Sequence, residues 1–168
     1  MNISIQTAHD SPEELAIKNT LEEILKTHTF PIYTESIVID SDARSHSHPV
    51  LTISTKRTDW RCILKTIVHE QMHWLHNGDD RWDRAREYFK EKHPTPPVEF
   101  ANNPPRSFWT HIIVCWNTEN HLRVLMSPTD LEFVNGVCPD YVETMKLIRD
   151  NFETIGKELQ SFDLISKL

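Results

Sequence analysis

The segment "HPTPPVEFANNPPRS", residues 93 to 107, carries five of the chain's ten prolines. Proline locks its own φ, offers no backbone N–H and pushes the preceding residue away from helical geometry. Neither a helix nor a strand can run through this stretch, so every regular element must lie to one side of it. A connection this long inside a compact domain is usually functional or wrapped over the surface, and here it is a candidate rim or cover for a cleft. No repeat, low-complexity tract or composition break accompanies it. The 168 residues are enough for one domain with a real core and too few for two comfortable ones, so residues 1–168 read as a single domain.

On the N-terminal side, "SPEELAIKNTLEEILKTH" reads as a helix. Ser11 suits the N-cap, Pro12 the first helical position, and Glu14 completes a capping box. Ile17, Leu21, Ile24 and Leu25 then form one apolar stripe. "SIVID", residues 36 to 40, is short and β-branched, as strands are. "PVLTIST", residues 49 to 55, follows a polar turn as a second strand with proline at its start. Asp59 can cap a helix from about Trp60 to Asn77, with Gly78 placed to end it. "RWDRAREYFKEKH" is a short charged helix.

Beyond the prolines, Ser107 can cap "FWTHIIVCWNTENHLRVLM", although "THIIVCW" alone also fits a buried strand. From near Pro139, Tyr141, Met145, Ile148, Phe152, Ile155 and Leu159 recur at helical spacing as one amphipathic helix. The expected class is α+β, a small antiparallel or mixed sheet with helices supplying most of the mass.

Composition excludes several roles. The formal net charge of −7 disfavours general nucleic-acid binding, which usually needs a basic surface. Only 3 glycines leave no room for a glycine-rich phosphate loop. No apolar run is long enough to cross a bilayer, and "MNISIQTAHDSPEE" lacks the basic start and apolar stretch of a secretory signal. Three widely spaced cysteines, Cys62, Cys115 and Cys138, fit free thiols in a reducing compartment. A cytoplasmic protein is expected.

The chemistry concentrates in "TIVHEQMHWLHNG", residues 66 to 78. Residues i and i+4 share one helix face, so His69 and His73 can present two imidazoles to one ion. Zinc accepts neutral nitrogen ligands at about 2.0–2.1 Å and tolerates an open fourth position. It brings the pKa of a bound water towards about 7, and Glu70, just aside of the first ligand, can take that proton and return it to a leaving amine. Ile67, Val68, Gln71, Met72, Trp74 and Leu75 give the motif an uncharged frame, as a helix buried beneath a cleft requires. The bland alternative is a surface helix with solvated histidines.

"TIVHEQMHWL" resembles the active-site helix of the zincin metallopeptidases. That resemblance implies a zincin-like fold, a Zn2+ cofactor, and an antiparallel edge strand before the helix that binds extended substrate by backbone pairing. "HPVLTIST" occupies that place. More loosely, the chain is similar to microbial zincin-like proteins in which a later helix carries a further histidine. The specific likeness covers residues 49 to 78.

Catalytic zinc normally has three protein ligands, and "WLHNGDD" after the motif lacks the metzincin continuation. A thermolysin-like downstream glutamate is not cleanly met either. His111 is the preferred third ligand, against the bland reading of a core histidine bonded to a backbone carbonyl. Glu119 is the alternative; eight residues apart on one helix, about 12 Å, the two cannot share an ion. His76 lies about 10 Å along the axis from His69, too far for one ion to span all three. His46 and His48 read as polar-loop residues, Cys115 as core, and Tyr141 as packing with an oxyanion-stabilising role as the rival.

The sequence thus predicts a zinc metallopeptidase with His69, His73 and His111 as ligands, Glu70 as general base and a peptide or protein as substrate. The rival is a zincin-shaped domain that binds a protein or peptide without cleaving it. A metal-free helical interaction domain is the second.

Overall fold

The structure is a computed structural model that describes residues 3–75, 80–101 and 107–167. Three short strands open the chain: β1 (Ser4–Thr7), β2 (Ser36–Asp40) and β3 (Leu51–Ser54), in the order β1-β2-β3. Helix α1 (Pro12–Thr27) connects the first two. After β3 come α2 (Trp60–Met72), α3 (Asp80–Lys92), a 3₁₀ turn (Val98–Phe100), α4 (Ser107–Leu125), α5 (Pro128–Val137), α6 (Val142–Asp150) and α7 (Phe152–Ser161). The class is α+β, as expected.

Both strand pairings are parallel, which corrects the expected antiparallel or mixed sheet. β1 escaped the sequence reading, and with it the β1-α1-β2 crossover that a parallel pair requires. Ile37 and Ile39 lie in register with Leu51 and Ile53, and all four are buried with Ile17, Leu21 and Ile24 of α1. The antiparallel pairing that does exist is an isolated bridge on the outer edge of β3. There the Thr52 N–H donates to the His46 carbonyl at 2.8 Å and the His46 N–H returns a bond at 3.0 Å. The Ser54 N–H donates to Ser45 Oγ at 3.0 Å. The chain's own residues thus cover the edge that the sequence assigned to an extended substrate.

The helix N-caps behave as local chemistry demands. Ser11 Oγ accepts from the Glu14 N–H, and the Glu14 carboxylate accepts from the Ser11 N–H at 3.2 Å. Asp59 caps α2 by accepting from the Arg61 N–H at 2.9 Å. α2 is shorter than expected. It ends at Met72, and residues 73–75 tighten into a turn through Trp74 N–H to Gln71 and Leu75 N–H to Met72 bonds. Gly78, the expected terminator, lies outside the described residues, as do His76 and Asn77.

α4 is the central helix, packed against α2, α3, α6 and α7. Its "THIIVCW" stretch is helical, not strand. The expected single C-terminal helix breaks at Asn151, whose φ of −128° and ψ of 25° leave the helical region. The break lets α7 turn onto α4, where Gly156 meets Trp116 so closely that an added Cβ would stand 2.6 Å from its ring. α5 was also missed, although Ser127 caps it ahead of Pro128.

Two buried clusters result. One joins the sheet, α1 and the start of α2; the other joins α3, α4, α6 and α7. Cys62 of α2 and Cys138 at the end of α5 form a disulfide with Cα atoms 6.0 Å apart, and Cys115 is free and buried. That corrects the expectation of three free thiols and removes the argument for a reducing compartment. No helix among the described residues is long and apolar enough to cross a membrane.

Candidate metal centre

Three histidines converge where α2 and α4 cross. His69 and His73 stand one turn apart on α2, and His111 reaches them from the first turns of α4. One nitrogen from each lies within 4.8 Å of the others. Ring centroids are 5.1 Å apart for His69–His73 and for His73–His111, and 5.7 Å for His69–His111. His73 sits at the helix end but keeps helical geometry, with φ −65° and ψ −20°, so the i,i+4 relation survives the early termination of α2.

The protonation states suit metal binding. Burial, then the neighbouring His73, His111 and Lys65, holds the His69 imidazole well below its ordinary value. Burial, then His111 and His48, brings His73 down to about 3. His111 is lowered by burial against a smaller opposing effect of its bond to Ser107. All three are therefore neutral at pH 7, the state in which a ring nitrogen offers a lone pair.

His111 Nδ1 lies 2.7 Å from the Ser107 carbonyl oxygen. A carbonyl only accepts, so Nδ1 carries the proton and Nε2 keeps the lone pair. The bland reading of His111 as a carbonyl-bonded core histidine was thus correct in its contact, and a contact of this kind can orient a metal-binding imidazole. Ser107 serves as the first residue of α4 and contributes through its carbonyl.

Glu70 is 8% exposed, with no hydrogen bond or ion pair to its carboxylate among the described residues. Burial, reinforced by the charge of Asp140, pushes its pKa up to about 8. It borders a cleft of about 460 Å³ shared with His69, Tyr141 and the end of β3.

Tyr141 packs against the helical cluster, as expected, and also forms a wall of this cleft. Its ring centroid lies 4.2 Å from that of His111 and 5.4 Å from that of His69. Its φ of 52° is left-handed, a conformation that costs a side-chain-bearing residue about 1–2 kcal/mol. That turn aims the ring at the histidines before α6 begins. The proline-rich connection contributes from behind. Glu99 accepts from the Thr144 N–H at 3.0 Å and from its hydroxyl at 2.6 Å, which anchors Phe100 against His111 and Tyr141.

Asp140, Arg57 and Lys65 complete the cleft floor, and nothing in the sequence pattern marked them. Arg57 grips Asp140 with two bonds, 2.5 and 2.8 Å, while Lys65 Nζ donates to the Cys138 carbonyl at 2.6 Å and stands 3.6 Å from Asp140.

The other candidates go elsewhere. Glu119 is 2% exposed, not solvated as its polar neighbours suggested. It faces Arg123 at 3.1 Å and Arg149 at 3.7 Å and takes no part in the histidine cluster. Cys115 is core, as expected. His48 stacks on Trp74 with centroids 4.2 Å apart, and His46 holds the edge of β3 through its backbone. Trp82, Trp109 and Trp116 pack the helical cluster.

No known protein family matches this sequence, and no curated protein or solved structure is similar enough to it to count as a match.

Proposed function

We propose that the chain is a zinc-dependent peptidase, with His69, His73 and His111 holding the ion and Glu70 as general base. One observation carries this reading: three neutral imidazoles converge beside a buried, unpartnered carboxylate that opens onto a cleft. The donor set fits zinc, since three nitrogen ligands with one position left open is the arrangement of a catalytic rather than a structural site. When bound, Zn2+ supplies the Lewis acidity that brings a water's pKa towards about 7.

The chain's own groups do the rest. Ser107 fixes the His111 tautomer, so that ligand needs no reorganisation. Glu70 is free of hydrogen-bond donors that would weaken it as a base. With the ion's positive charge nearby favouring its carboxylate form, it would take a proton from the attacking water and deliver it to the leaving nitrogen. Tyr141 stands across the histidines, where its hydroxyl can donate to the oxyanion that develops on the substrate carbonyl. The rival reading, a domain that binds peptide without cleaving it, drew its support from the lack of a third ligand. His111, grouped with His69 and His73, weakens that support.

The test is Glu70→Gln. Peptide hydrolysis should fall by about 10²–10⁴-fold, while zinc measured by atomic absorption stays at one per chain. Activity that persists in this variant would refute the mechanism.

A further inference from the structure

The protein carries 25 acidic against 18 basic residues, yet its cleft has the opposite balance. Arg44, Lys56, Arg57 and Lys65 line it, against only Glu70 and Asp140. Asp140 is already matched by the two-pronged Arg57 contact and by Lys65. The side chains of Arg44 and Lys56 have no hydrogen-bond or ion-pair partner among the described residues, and both are exposed at the mouth. They flank β3, one from the segment that covers its outer edge and one from the turn that follows it.

Two uncompensated cations at one cleft, in a chain with acid to spare, do not serve the fold. Charges of one sign around a low-dielectric cleft concentrate ligands of the other sign there. Arg in addition offers a planar fork that matches a carboxylate. We propose that Arg44 and Lys56 select substrates bearing a carboxylate next to the bond to be cleaved, supplied by an acidic side chain or by a free chain terminus. This rests on the peptidase reading for its chemistry, but the binding preference can be measured apart from it.

The experiment uses the zinc-loaded full chain. A peptide-library digest locates a cleaved bond, and blocked peptides differing only in Glu or Gln beside that bond are then compared. A second pair differs only in a free or amidated C-terminus. A charge-assisted contact predicts about a tenfold preference in kcat/KM for the carboxylate member of one pair, shrinking as salt approaches about 0.5 M. The pair that shows it tells side chain from terminus. In Arg44→Gln/Lys56→Gln the ratio should fall to near one, with the circular dichroism spectrum unchanged.

The same pairs are titrated by calorimetry against the Glu70→Gln protein, so that binding is read without turnover. Cleavage with no carboxylate preference overturns the inference and leaves the peptidase reading standing. If the digest cuts no bond, the pairs are built on one blocked hexapeptide with a central Glu or Gln and a free or amidated end, and carboxylate-selective binding of these leaves the inference standing and removes the peptidase reading. A preference that survives the double substitution removes Arg44 and Lys56 from the role and overturns the inference.

Discussion

Two buried glutamates show how one side chain can be assigned opposite work. Glu14, at the end of the sheet, is fully buried and accepts backbone N–H bonds from His9 at 2.9 Å, Ser11 at 3.2 Å and Ser41 at 2.9 Å. Burial alone would raise its pKa, but those donors outweigh it and hold the carboxyl at about 2. Glu70 is almost as buried and has no such donors, and its pKa lies near 8. The first is a permanent anion that ties α1 to the β1–α1 turn and to the end of β2. The second, in the metal-free chain, keeps its proton at neutral pH. Burial sets the cost of the charge in both, and the supply of donors decides whether the group holds the fold or is kept for chemistry.

The largest expected effect is at the tether of the cleft. Cys62→Ala/Cys138→Ala opens a loop of 76 residues, and chain entropy puts the loss of stability at about 4 kcal/mol, read from denaturant midpoints. Hydrogen exchange should quicken around Asp140 and Tyr141 and stay slow around Ser41. Equal quickening at both would mean the two regions are not independent.

Next in size is His111→Gln. Even groups bonded to a ligand are worth about 10–100-fold in metal affinity, so losing the ligand should cost more than about 100-fold in zinc dissociation measurements. Glu119→Gln should keep its zinc. The reverse result would move the centre along α4.

Tyr141→Phe tests the cleft wall without touching the histidines. It should lower kcat by about 100-fold with zinc content and melting temperature unchanged; a loss of stability instead would return Tyr141 to packing.

The smallest effect separates the glutamates by pH in the metal-free protein. The Glu14 pKa is depressed on folding, so its contribution is present above about 4.5 and fades as pH falls towards 2. Glu14→Gln should therefore be less stable than the parent at neutral pH, with the gap closing in acid. The Glu70 pKa is raised, so the folded chain keeps a proton that the unfolded chain releases above about 4.5, and stability falls as pH rises towards 8. Glu70→Gln should match the parent below about 4.5 and exceed it as pH climbs towards 8. Urea titrations across that range would collapse the comparison if the two variants moved alike.

Much of this was written locally. Ser11, Pro12 and Glu14 specify the start of α1, because a capping box closes within one turn. Asp59 and the i,i+4 spacing of His69 and His73 specify a metal-competent helix for the same reason, since both act over a few residues of backbone. What lay beyond reach were relations between distant segments. The sequence reading preferred His111 over Glu119, but its meeting with His69 and His73 depended on which face of α4 meets α2. That face is invisible in a helix whose residues are buried nearly all round. The parallel sheet depended on a four-residue strand too short to carry a period, and the disulfide on two cysteines 76 residues apart. Tyr141 followed the spacing of a helix it merely precedes, and its left-handed turn carries it to the histidines. Sequence alone determined that one helix presents His69, Glu70 and His73 within one turn of each other. Only tertiary packing decided what meets them, because His111, Tyr141, Arg44 and Lys56 reach the cleft from segments outside that helix and apart from one another in the chain.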